Sequence, residues 1–123
     1  MKGSFKLDHK QIIDKLNRLE YHQSLLLNMI SNSHNGFYKL VIEKSLDKSD
    51  VEQFYKLCAE LNADLEKQKA EGFVYFNPLF EEFKLNLHPK LDCKEVINAC
   101  LNQQIFEPLM MELKNYLSQV NGQ

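Results

Sequence analysis

Three residue types in this 123-residue chain could do chemistry: the thiols Cys58, Cys93 and Cys100, the imidazoles His9, His22, His34 and His88, and the adjacent carboxylates Glu81 and Glu82. A metal centre needs several such ligands to converge, usually with a close pair such as CxxC or HxxxH. The sequence has neither pair. No histidine has a glutamate three or four residues away, the spacing used by helical di-metal centres. Cys93 and Cys100 are separated by roughly 10 Å of helical rise, too far for a disulfide between helical positions, and the thiols are read as small packed hydrophobes. A Cys–His nucleophile would need a strained glycine-rich elbow, and a phosphate site a glycine loop; neither is present. Glu81 and Glu82 point about 100° apart on a helix, so they do not share a proton. The sequence therefore predicts no catalytic, cofactor-binding or metal-binding residue, no cofactor, and a chain that is not an enzyme.

The elements that would position any site follow from composition and period. Apolar residues make up 44% and charged residues 26%, as in a folded domain rather than a disordered chain. One core is expected, in a single domain over 1–123. The net charge of -2 provides no field to gather phosphate or anionic lipid. The first 18 residues carry a local excess of lysine and arginine, which solvation alone explains. No apolar run approaches a membrane span, the amino terminus lacks a secretory signal, and three cysteines without paired spacing suit a reducing cytoplasm. Neither nucleic acid nor membrane is expected as a partner, and the expected location is cytoplasmic.

Periodicity predicts an all-α, multihelical fold of five to six helices with a long amino-terminal helix. That first helix is read over 9–31, capped by Asp8, with Ile12, Leu16, Leu19, Gln23, Leu26 and Ile30 stepping alternately by four and three. The polar run Ser31–Gly36 is a loop, and a short second helix spans Phe37 to Leu46. Ser49 and Glu52 suggest a capping box for a third helix that Gly72 stops. Phe73–Phe76 reads as an extended connector before a helix from Pro78 to about Leu87, with Asn77 as its cap. Asp92 and Glu95 open a fifth helix, and a last one begins near Phe106 or Pro108, its polar end from Gln119 fraying. The second and third helices have the lengths of a helix-turn-helix, but Asp50, Glu52, Glu60, Asp64 and Glu66 on the recognition helix would face phosphate.

The segments Arg18-Leu19-Glu20-Tyr21, Phe37-Tyr38-Lys39-Leu40 through Leu46, and Glu66 to Val74, with a weaker match from Leu91-Asp92 to the last helix, resemble the YhaI-like family of small helical proteins of unknown function from Gram-positive spore-forming bacteria. The resemblance covers most of the chain. It implies a multihelical fold whose subunits intertwine as a homo-oligomer, with a trimer as one arrangement, and it brings no catalytic or binding residues.

Self-association is also legible in the first helix itself. Leu25, Leu26, Leu27, Met29 and Ile30 spread over roughly 200° of the helical wheel, wider than the stripe a surface helix buries against one partner. Ile12, Leu16, Leu19, Gln23, Leu26 and Ile30 are thus the candidate oligomer interface, with Gln23 able to set register. The leading expectation is a non-enzymatic homo-oligomeric interaction or regulatory module. The alternative is a small-molecule binding protein with a pocket walled by Phe73, Tyr75, Phe76, Phe80 and Phe83 beside the Met110-Met111 helix, although such a cluster is more commonly core.

Overall fold

The computed structural model describes residues 8–30 and 34–121, which form six α-helices, α1 His9–Ile30, α2 Gly36–Glu43, α3 Lys48–Glu71, α4 Phe76–Leu85, α5 Cys93–Gln103 and α6 Glu107–Asn121. Among the described residues there is no strand. Lys2 and Lys6 of the basic stretch, Ser31–Ser33 of the polar loop, and Gly122 and Gln123 of the tail lie outside them. The chain divides into two compact units, Met1–Ser33 and His34–Gln123.

The first unit contains α1. The Asp8 carboxylate accepts from the Gln11 backbone N–H at 2.7 Å, and the Asp8 N–H donates to Gln11 Oε1 at 3.1 Å, so two free amides of the first turn are satisfied reciprocally. No residue of α1 is buried.

In the second unit α5 packs against α2 and α6, α4 against α6, and α3 against α4 and α6. The core is apolar throughout, with Phe37, Phe83, Leu61, Leu65, Ile97, Leu109 and Met110 essentially sealed from solvent and no buried charged or polar residue among those described. Phe37 stacks on Phe54 at 5.2 Å, and Phe54 meets Phe83 edge-on at 6.2 Å, the offset and T-shaped geometries that ring quadrupoles favour.

Several element boundaries differ from the sequence reading. Helix α2 ends at Glu43 rather than Leu46, because Ser45 takes a left-handed φ of 55°. Helix α3 starts at Lys48, two residues before the position implied by Ser49 and Glu52. Its cap is Asp47, which accepts from the Asp50 N–H at 2.8 Å while donating its own N–H to the Asp50 carboxylate at 3.0 Å. A carboxylate is the stronger acceptor at a helix N-terminus, where the dipole also favours negative charge. Helix α4 begins at Phe76, not Pro78, so Asn77 lies inside the helix. Pro78 is tolerated because first-turn amides have no intrahelical acceptor. The Tyr75 N–H instead reaches Gln68 Oε1 on α3 at 2.6 Å, which sets where the chain turns. Helix α6 continues through Gln119 to Asn121. The stops at Gly72, with φ 95°, and the cap at Asp92, accepting from the Glu95 N–H at 3.0 Å, are as the sequence predicts.

Gly36 serves a purpose other than a turn. It opens α2 with its N–H on Asn102 Oδ1 at 2.7 Å, and a Cβ built there would lie 2.6 Å from that same oxygen. Glycine lets the end of α2 approach α5 this closely, and Gln103 adds a bond at 3.0 Å from the Tyr38 N–H.

Candidate interaction surface on the first helix

Helix α1 has 22 residues, a length of roughly 33 Å at 1.5 Å per residue. Its seam residues Ile12, Leu16, Leu19 and Leu26 are between 43% and 57% exposed, Gln23 is exposed, and Ile30 is half-buried. Ile13, Leu25 and Met29 are also exposed, Met29 to 77%. Within its own unit α1 has no other element to cover the apolar arc. Burying one such aliphatic side chain is worth about 1.5–3 kcal/mol, so the seam carries a large unused driving force. Helical stability in proteins comes mainly from packing an apolar face.

The chemistry-bearing residues do not converge. Among the described residues no three His, Cys, Asp or Glu side chains gather as metal ligands. Cys58 and Cys100 are fully buried, and burial pushes the Cys100 thiol up to about 12 and the Cys58 thiol higher, with Cys100 as a secondary cause for Cys58. Cys93 is half-buried; burial raises it first, Asp92 and Glu81 add to the rise, and Lys84 opposes it. The thiolate is the reactive form, so all three are poor nucleophiles at neutral pH. His88 holds a turn: its Nδ1 accepts from the Lys90 N–H at 3.0 Å, and its Nε2 lies 3.5 Å from the Asp50 carboxylate.

The five aromatic residues of the predicted pocket go to three environments. Phe80 and Phe83 are buried core, Phe76 is half-buried, and Phe73 and Tyr75 are exposed with ring centroids 4.8 Å apart. Two of them border different pockets. Phe80 borders a 450 Å³ pocket with Leu91, Leu117, Lys84, His88 and Asp92, whereas Phe76 borders a separate 320 Å³ pocket beside Tyr116. Met110 is sealed in the core and Met111 is exposed. A broader groove of 760 Å³ lies between Tyr38, Tyr55 and Phe106, three rings from distant parts of the sequence. Phe106 has a left-handed φ of 49°, which local spacing does not signal.

No described helix is long and apolar enough to cross a membrane. Comparison with protein families matches residues 10–118 to a family described as a protein of unknown function, DUF1878. The match takes in the seam of α1 as well as the helices of the second unit, and the chain belongs to this family.

Proposed function

We propose that this protein is a non-enzymatic, homo-oligomeric interaction or regulatory module, assembled through the apolar face of α1. The observation that carries the reading is the combination, on one helix, of a heptad seam and no buried residue. Within its family we place the chain among the YhaI-like proteins of Gram-positive spore-formers, on the segments around Arg18, Phe37 and Glu66, and an intertwined assembly, a trimer included, fits that placement. A cytoplasmic setting suits three free thiols, two of them deeply buried. Sedimentation equilibrium of the full chain at micromolar concentration tests the reading: a mass that is a multiple of 14.5 kDa is expected, and a 14.5 kDa particle overturns it.

A second reading, binding of a small molecule, is favoured by one observation. The 450 Å³ pocket has the mixed lining of a ligand site, with Phe80, Leu91 and Leu117 forming an apolar wall and Lys84, His88 and Asp92 supplying polar groups. A thermal-shift screen of small amphipathic compounds tests it: a rise in melting temperature lost in a Leu117→Lys variant is expected, and no rise with any compound counts against it.

A further inference from the structure

The 450 Å³ pocket between α4, α6 and the start of α5 also specifies the charge of what it would hold; this inference deepens the small-molecule reading above and rests on it. Its apolar side belongs to the core. Phe80 and Leu91 are buried, the Tyr116 ring braces Phe80 at a centroid distance of 5.3 Å, and the half-buried Leu117 of α6 completes the wall. A wall made of core side chains is preformed, so an apolar body can lie on it without reorganising the fold.

The polar side has a definite charge balance. Lys84 in the last turn of α4 and Lys94, the second residue of α5, both line the pocket and are exposed. Among the described residues neither forms an ion pair. Lys84 acts electrostatically on the Cys93 thiol, which places it beside the segment that carries Lys94. The other polar groups have partners within the protein. The Asp92 carboxylate accepts from the Glu95 N–H at 3.0 Å, and His88 accepts from the Lys90 N–H with Nδ1 while its Nε2 faces Asp50. Glu81 also reaches the Cys93 thiol, from outside the lining. With histidine counted as neutral and the thiol protonated, two lysines and one aspartate leave the lining with a net charge of +1.

One excess positive charge beside an apolar wall matches a singly charged anion with an apolar body. A dianion would leave a negative charge unmatched, and a cation would add to the excess. We propose that this pocket binds an amphipathic monocarboxylate, with its apolar chain on Phe80, Leu91 and Leu117 and its carboxylate on Lys84 and Lys94.

Protection of Cys93 from iodoacetamide in the full chain tests this. Cys58 and Cys100 are fully buried and Cys93 lines the pocket, so alkylation at mildly alkaline pH, located by mass spectrometry, reads occupancy there. The probes are octanoate, octanol and octylamine, which share a chain and differ in head group, with acetate as the head without the chain. Octanoate is expected to protect at concentrations roughly tenfold lower than octanol, with octylamine weaker still and acetate without effect. Melting temperatures read in parallel should follow the same ranking. A Lys84→Gln, Lys94→Gln double variant, changed only at exposed positions, should lose the preference for octanoate and keep its affinity for octanol. Octanol or octylamine acting as strongly as octanoate would overturn the anionic class while leaving a small-molecule pocket intact. A preference for octanoate that persists in the double variant would overturn the two lysines as its carboxylate site. Acetate acting as strongly as octanoate would overturn the apolar chain. Neither protection nor a rise in melting temperature with any probe would overturn the small-molecule reading of this pocket itself.

Discussion

Helices α1 and α3 are the two longest in the chain, 22 and 24 residues, and both carry apolar residues at spacings of three and four. Helix α3 buries Phe54, Leu57, Cys58, Leu61 and Leu65, whereas α1 buries nothing. The same periodic pattern thus accompanies opposite fates. Periodicity shows that a helix has an apolar face; whether its own domain covers that face depends on where the rest of the chain goes. For α3 the cover comes from α4 and α6, and from Phe37 of α2 on Phe54. For α1 the proposed cover is further copies of the chain.

The two regions should fail in different ways. Truncating Phe83, fully buried and edge-on to Phe54, leaves a large cavity. Phe83→Ala should destabilise the second unit by about 3–5 kcal/mol, read as a lower urea midpoint at every protein concentration. Leu26→Asn should leave that midpoint nearly unchanged when measured on α3–α6 and instead weaken assembly by roughly a hundredfold, read by sedimentation across a dilution series. If Leu26→Asn lowered the α3–α6 midpoint as much as Phe83→Ala, the distinction between the regions would collapse.

A smaller effect is expected at Gly36. Glycine to alanine inside an exposed helix normally gains about 1 kcal/mol. Here the new methyl would meet Asn102 Oδ1 at 2.6 Å and the Ala99 carbonyl oxygen at 3.1 Å, so the Asn102 amide would have to turn away and give up the Gly36 N–H, or α2 would have to shift on α5. Gly36→Ala should lose about 1–3 kcal/mol in urea unfolding, and a gain would show that α2 can shift freely.

The smallest effect concerns acid. The backbone N–H of Asp47 is the leading cause holding the Asp50 carboxyl below its ordinary value of 3.8, with partial opposition from burial and further lowering by His88. A carboxyl lowered in the folded state contributes stability above its unfolded pKa, and that contribution is lost as the pH falls through the folded one. Stability should therefore decline below pH 4 partly through Asp50, and Asp50→Asn should decline less steeply over that window in urea midpoints. Identical slopes for the two proteins would remove Asp50 from the acid response.

How much of this was legible follows from the range of each interaction. Gly72 and the Asp92 cap were readable because their partners lie within a few residues. The start of α3 was misplaced because Ser49 with Glu52 and Asp47 with Asp50 both fit a capping spacing, and only the observed bonds choose between them. The start of α4 depends on Gln68, seven residues before Tyr75, and the need for glycine at 36 depends on Asn102, sixty-six residues away. Neither is visible in a local window. In the aromatic segment, Phe80 and Phe83 repeat at a helical interval of three and became core, while Phe73 and Tyr75 fall in the turn before α4 and face solvent. The arc of α1 was legible from sequence, since an apolar spread too wide for one partner is a local property of the helix.

Amide hydrogen exchange of the full chain over a concentration series tests the central claim most directly, because it reads α1 and α3 in one sample. Protection of residues 9–30 should fall steeply on dilution through the assembly range, while residues 54–65 of α3 keep theirs. Protection of residues 9–30 that persists unchanged where the chain sediments at 14.5 kDa would contradict it, since α1 would then be stable without another copy.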